Sequence, residues 1–194
     1  AYHDMGEYEL GLKHARLGAE LAEQANGYEC ACAGYFGVGW TQLERRQLGD
    51  AQSQFEKSLR YAGITGFEGF LNMLHGGVAL TKIDLGPEAA IEQLRTAVTN
   101  AHNINDEYAA AILAEKLAAA LLKLGRREEA GQFLGDALRY YRTAGMRPYL
   151  ASALGLACEL HEANGSTGEA AEARAEAAAI TADLARQHPI QAEA

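Results

Sequence analysis

The stretch LGRREEAGQFLGDAL, residues 124–138, combines a glycine-containing turn with a helical segment that carries two small residues seven positions apart, Ala130 and Ala137. The same small pair returns along the whole chain, at Gly11/Gly18, Ala51/Ser58, Ala90/Ala97 and Ala170/Ala177. The first members of successive pairs are 40, 39, 40 and 40 residues apart. A pattern that returns at a fixed period of this length is typical of stacked, similar supersecondary units.

An aromatic residue provides a second marker with the same period. It follows each predicted helix-ending turn, at Tyr28, Phe67, Tyr108 and Tyr149, with steps of 39, 41 and 41 residues. Because two separate markers share one period, the repeat decides the fold class more firmly than any single motif does.

Apolar residues recur at helical spacing, and no convincing run alternates polar with apolar residues. We predict that each unit is an A helix, a tight turn and a B helix, with turn glycines at Gly49, Gly86, Gly125 and Gly165. Gly49 comes about three residues late for this period. The predicted helices cover 7–25, 28–48, 50–62, 66–85, 87–102, 106–124, 127–144, 148–164 and 167–187. Predicted helix stops are Asn26-Gly27, Gly63, Asn103 and Gly145, and predicted N-caps are Thr65, Asn105 and Ser166.

Several glycines lie inside predicted helices, where each costs about 1 kcal/mol relative to alanine. They are Gly34, Gly37 and Gly39 in one helix and Gly76-Gly77 in the next A helix. Two explanations stay open: close packing of helices, or a cleft in which a ligand approaches the backbone.

Composition narrows the function classes. The net charge is −9 and the pI is about 5.2, which argues against nucleic acid or an anionic membrane as a direct partner. No apolar run approaches the roughly 18 residues that a membrane span needs. Three cysteines cannot form a closed disulfide set, and no segment resembles a secretory signal, so we predict a cytoplasmic location. Ala1–Gly6 reads like the tail of a helix, which predicts that the chain is part of a larger protein.

No catalytic constellation emerges from the sequence. Cys30 and Cys32 lie roughly 200° apart around a helix, which does not suit a shared metal ion. The six histidines form no i,i+4 pair, and the glycine-rich segment 34–39 lacks the lysine of a phosphate-binding loop. We therefore predict no catalytic residues, no metal site and no cofactor.

Residues 124–138 resemble the turn and second helix of a tetratricopeptide repeat. Segments 5–11, 85–90 and 164–170 resemble the same turn, and Gly39, Ala118 and Cys158 occupy the family's small A-helix position. The period of about 40 exceeds the family's usual 34. Longer units are similar to those of large bacterial signalling ATPases, such as adenylate or guanylate cyclases and transcription activators that respond to maltotriose.

The resemblance implies an all-α, right-handed superhelix of antiparallel helix hairpins with about nine helices. It implies one repeat domain over residues 1–187, followed by a frayed tail at 188–194. The domain would comprise a half unit, 1–26, and full units of about 27–63, 64–103, 104–145 and 146–187.

In this family the A helices line a concave groove that receives a peptide or another domain. By register, the resemblance predicts these groove residues: Phe36, Trp40, Leu43, Asn72, His75, Lys82, Glu115, Leu122, Lys123, Glu159 and Glu162. Phe36 and Trp40 would anchor an apolar side chain or a sugar ring. The alternative is that both rings pack against the preceding B helix.

The resulting expectation is a non-catalytic interaction or scaffold module, set as a C-terminal regulatory region in a multidomain bacterial signalling protein. Its partner would be a protein, a peptide, another domain of the parent chain or a second copy in a homodimer, with no direct nucleic acid or membrane contact. The alternative is a sensor that binds a small effector in the groove, in a discrete pocket around Phe36, Trp40 and His75.

Overall fold

The computed structural model describes residues 8–187, with side chains from Leu10 onward. The described residues form α-helices joined by short turns, with no strand among them, which confirms the all-α prediction. The helices are α1 (Tyr8–Gln24), α2 (Tyr28–Glu44), α3 (Leu48–Thr65), α4 (Leu71–Thr81), α5 (Pro87–Asn103), α6 (Glu107–Lys123), α7 (Arg127–Thr143), α8 (Arg147–Ala163) and α9 (Thr167–Gln187). The predicted frayed tail at 188–194 and the predicted helix tail at Ala1–Gly6 lie outside the described residues.

The chain divides into two compact units, residues 1–109 and residues 110–194. In the first unit each helix from α1 to α5 packs against the next, and the A helices α2 and α4 also touch. In the second unit α7 packs on α8 and α8 on α9. Packing between consecutive helices, joined by turns of a few residues, is the arrangement that a helical solenoid uses.

The turns are set by residues in the left-handed conformation, and these repeat with the period of the sequence. At the B-to-A turns they are Asn26, Gly66, Asn105 and Gly145, spaced by 40, 39 and 40 residues. One predicted helix stop is wrong, since Gly63 lies inside α3. α5 ends at Asn103, as predicted, and the left-handed residue that follows it is Asn105.

Arg46 explains why Gly49 comes late for the period of the turn glycines. Arg46 adopts φ 61° in the turn between α2 and α3, so α2 ends at Glu44 and Gly49 lies inside α3 instead of in the turn. With Arg46 as the turn residue, the A-to-B turns at 46, 125 and 165 keep the period.

The predicted N-caps at Thr65 and Asn105 are also wrong. Thr65 is the last residue of α3, where its hydroxyl donates to the Tyr61 carbonyl at 3.0 Å. Asp106 caps α6 instead of Asn105, because its carboxylate accepts the Ala109 N–H at 3.0 Å. α4 is shorter than the predicted helix 66–85, since residues 66–70 and 82–85 are not part of it.

The small pairs are the inner face of the B helices. Both members are buried in α3, α5 and α7, and in α9 Ala170 is buried and Ala177 half-buried. The exception is α1, where Gly18 is exposed and its neighbour Ala19 is buried. At Ser58 the small residue is also a donor, since its hydroxyl bonds the Cys32 carbonyl at 2.7 Å.

Phe55 of α3 shows why two helical glycines are needed. A Cβ added at Gly39 of α2 would lie 2.8 Å from ring atoms of Phe55, and one at Gly77 of α4 would lie 2.7 Å from the opposite edge. Gly34 likewise brings α2 onto α1, because its Cβ would meet Ala19 at 2.7 Å. The close-packing explanation therefore holds for Gly34, Gly39 and Gly77.

A polar cluster joins the first three helices at the edge of this core. The Lys57 ammonium donates to the Tyr35 hydroxyl at 2.8 Å and lies 3.5 Å from the Glu23 carboxylate, which also accepts a hydrogen bond from Tyr61. The Tyr61 ring stacks between Tyr35, at a centroid distance of 5.8 Å, and Tyr28, at 5.6 Å.

Residues 8–187 contain no helix that combines the length and the apolar character of a membrane span.

We predict opposite effects for two glycine-to-alanine changes. Gly39→Ala should lower the free energy of unfolding by about 1–3 kcal/mol, because the new methyl group collides with the Phe55 ring and approaches the Ala51 carbonyl oxygen at 3.3 Å. Gly63→Ala, in an exposed helical position with open space around it, should raise that free energy by about 0.5–1 kcal/mol. Urea unfolding of both variants checks this, and equal effects would contradict the packing account.

The polar cluster predicts a pH dependence of stability. Hydrogen bonds from Tyr35 and Tyr61 lower the pKa of the Glu23 carboxyl below its ordinary 4.5. A group whose folded-state pKa is lowered stabilises the fold above its unfolded value, and this contribution is lost as the pH falls through the folded pKa. Glu23→Gln should therefore melt below the unaltered chain at pH 7, and the gap should narrow as the pH falls below about 4.5.

The matched control is Glu68→Gln, which changes an exposed carboxylate of the same unit. Thermal melts of the three proteins between pH 3 and pH 7 supply the measurement. A gap for Glu23→Gln that stays constant over this range would contradict the assigned role of the carboxylate.

Candidate functional site

An open cleft lies between the C-terminal halves of the A helices α6 and α8, within the second unit. Its volume is about 490 Å³, inside the range of ligand-binding clefts. Apolar residues form much of its lining, and charged residues occupy the rest. The lining residues are Ala119, Leu122, Lys123, Gly125, Arg127, Leu156, Glu159 and Ala163. We call this the α6–α8 cleft.

The three charged side chains of the cleft are exposed and make no ion pair within the part of the chain that is described. Lys123 ends α6 and Arg127 begins α7, whereas Glu159 is on α8. Their neighbours are paired. Arg126 makes a two-point contact with Glu129, at 2.7 and 2.9 Å, and His161 lies 3.0 Å from Glu169. Charges of both signs are therefore unpaired in the cleft, whereas the neighbouring charges form ion pairs.

Three predicted groove residues, Leu122, Lys123 and Glu159, come together in this cleft. Glu162, one turn further along α8, does not line it. The Glu162 carboxylate pairs with Arg174 of α9, and this hydrogen bond raises the pKa of the Arg174 guanidinium.

Glu115 is a correction to the predicted groove. Only 6% of the residue is exposed, and its carboxylate accepts hydrogen bonds from Tyr141 of α7 at 2.9 Å and from Ser152 of α8 at 2.7 Å. Two hydroxyl donors compensate the carboxylate for leaving water, so Glu115 ties α6, α7 and α8 together instead of facing an open groove.

Trp40 is buried in the first unit, whereas Phe36 is half-buried. The Trp40 residue is 9% exposed and its ring meets Phe55 edge-on at 6.2 Å. Phe36 stacks on Phe70, with a centroid distance of 4.9 Å and an angle of 1°, and lies 5.8 Å from Trp40. These contacts differ from the predicted alternative, in which both rings pack against the preceding B helix, because Trp40 packs on Phe55 of the following B helix, α3, and Phe36 stacks on Phe70. Leu43 is buried as well.

The remaining predicted groove residues lie on or beside the short helix α4. His75 is exposed, and Asn72 is half-buried in the first turn. Lys82 is half-buried and forms the C-cap. The helix begins only at Leu71, so the first A-helix turn of this unit is missing from the surface that the register predicted.

Apart from Leu122, sequence reasoning missed the apolar residues of the α6–α8 cleft. Ala119, Leu156 and Ala163 are half-buried residues beside the buried stripe of their helices. Arg127 was interpreted only as part of a turn motif. The available signal was the presence of apolar residues on the helix face that also carries Lys123 and Glu159.

The chain matches no family model and no curated protein. The relation to tetratricopeptide repeats therefore remains a proposal that rests on the residues quoted above. Residues 8–187 contain no cluster of three or more side chains suited to hold a metal ion.

We predict that the hydrogen bonds that the Glu115 carboxylate accepts from its two donors stabilise the fold. Tyr141→Phe removes one hydroxyl from a buried carboxylate and should lower the free energy of unfolding by about 1–3 kcal/mol. Tyr140→Phe, at the half-buried neighbouring position, should change it by less than about 0.5 kcal/mol. Urea unfolding measures both, and similar losses for the two variants would show that the Glu115 hydrogen bond contributes little.

Proposed function

We propose that this chain is a non-catalytic interaction module of the tetratricopeptide type, and that it binds a peptide segment of a partner protein in the α6–α8 cleft. The observation that carries the proposal is the combination of a half-buried apolar lining with three unpaired charges around it. On the resemblance alone, we further propose that the module regulates a larger signalling protein.

The cleft has the chemistry that a short peptide needs. Ala119, Leu122 and Leu156 offer apolar surface for one buried side chain of the ligand. Lys123 and Arg127 lie at one end, where an acidic group of the peptide would bind them. The Glu159 carboxylate on the opposite helix would accept a hydrogen bond from a peptide N–H or a basic side chain.

The surroundings of Trp40 support a peptide ligand over a small-molecule effector. The sensor hypothesis requires ring surface around Phe36 and Trp40 that a ligand can reach. Phe36 instead stacks on Phe70, and Trp40 packs against Phe55 inside the first unit. The exposed charged side chains lie in the α6–α8 cleft, whose apolar lining and charges of both signs suit a peptide.

A peptide library displayed on phage tests this proposal. Peptides selected on the chain are synthesised, and their dissociation constants are measured by calorimetry. Leu122→Glu places a charge in the cleft and should raise the dissociation constant at least about tenfold, because an apolar contact is lost and the new carboxylate repels an acidic ligand.

The matched control is Leu124→Glu, which introduces the same charge at an exposed leucine two residues away that does not line the cleft. This variant should bind the peptides as the unaltered chain does. Failure to select any saturable peptide, or equal binding by the two variants, would refute the cleft as the binding site.

A further inference from the structure

Helix α1 carries an apolar stripe on the side that faces away from its own unit. Leu17 is 49% exposed and Leu21 is 54% exposed, and both continue a line that starts at Leu10 and passes His14. The spacing of these four positions, 4, 3 and 4 residues, is that of a coiled-coil seam. We call this stripe the α1 seam.

Leu17 and Leu21 of the seam lie outside the core that α1 shares with α2. The buried residues Ala19 and Ala22 belong to the core that α1 shares with α2. At 100° per residue, Ala19 lies about 160–180° around the helix from Leu10, Leu17 and Leu21, and Ala22 lies about 100–140° from them. The leucines are therefore not explained by burial against α2.

The other B helices carry polar residues at the position of Leu17, where the repeat places Lys57, Thr96, Asp136 and Glu176. Lys57 and Glu176 there pair with the preceding B helix, through Glu23 and Arg142. In α1 the same position carries an exposed leucine. A local apolar stripe on an otherwise charged surface is typical of an interaction face.

The charges beside the seam indicate which partner fits. Lys13 and Glu20 are exposed, seven residues apart on one flank, and neither makes an ion pair within the described part of the chain. If two copies of α1 pair in antiparallel orientation about a twofold axis, Lys13 of each copy faces Glu20 of the other. The symmetry thus supplies two opposite-charge pairs from one helix.

The other flank permits a close approach. Gly18 is exposed there, and a Cβ added to it would meet no atom within 4 Å, so the surface at this position is open. Small residues beside a seam let two helix axes come near each other.

We propose that the α1 seam binds a second copy of this chain, as an antiparallel helix pair related by twofold symmetry. Leu10 of one copy packs near Leu21 of the other, and Leu17 lies near the centre. The interface is one helix wide, so the association is weak and depends on protein concentration.

Charge reversal tests the pairing and its orientation. Sedimentation of the unaltered chain from low to high concentration should show a mass that rises from 20.8 kDa toward twice that value. Lys13→Glu and Glu20→Lys should each raise the dimer dissociation constant about tenfold, because each replaces two attractive pairs with two repulsive ones. The double variant should recover the original constant.

Mixing the two single variants gives the sharpest outcome. In an antiparallel pair the Lys13→Glu chain and the Glu20→Lys chain present opposite charges at both contacts, so the mixture should dimerise although each variant alone does so poorly. Leu17→Glu/Leu21→Glu should stay monomeric while its circular dichroism matches that of the unaltered chain.

A monomer at every concentration would overturn the proposal, as would a dimer that survives the double leucine substitution. Failure of the mixed variants to pair would overturn the antiparallel arrangement. Binding of the seam only to a different protein would equally count against a second copy as its occupant.

Discussion

The fold of the first unit depends on how closely its A and B helices can approach each other. Phe55 occupies a slot that exists only because Gly39 and Gly77 lack side chains on either side of its ring. Glycine weakens an isolated helix, but at these positions it permits a larger contact area in the core. At most of the buried small pairs of α3, α5 and α7, alanine permits a close approach without this cost, because it has the highest helix propensity.

The contacts between helices recur from unit to unit, but the residue types that make them differ. Lys57 of α3 pairs with Glu23 of α1, and in the second unit Glu176 of α9 pairs with Arg142 of α7 at the same separation of 34 residues, with the charges exchanged. A link of 26 residues from an A helix to the next B helix also recurs, as Cys32 with Ser58 in one unit and, one helical turn further along both helices, as Glu115 with Tyr141 in the other. Corresponding helices therefore meet across the same sequence separations, although the residues at the contacts differ.

This freedom lets function differ between units on a common scaffold. In the first unit the A-helix face is covered by Phe36, Trp40 and Phe70, whose rings pack against one another. In the second unit the corresponding helices carry smaller residues and leave a cleft with unpaired charges. A surface whose polar groups lack internal partners retains its capacity to bind, and this is why the proposed function is assigned to the α6–α8 cleft.

The sequence alone determined the fold class and the period, because small residues, turn formers and apolar residues recur at fixed spacing and each acts locally. It also indicated Leu122, Lys123 and Glu159 as surface positions. It did not determine that Arg46 replaces a glycine in its turn, that Glu115 is buried or that Trp40 packs on Phe55. Those outcomes depend on which side chains from distant helices meet: Glu115 stays inside only because Tyr141 and Ser152 reach it, and such contacts are fixed by tertiary packing.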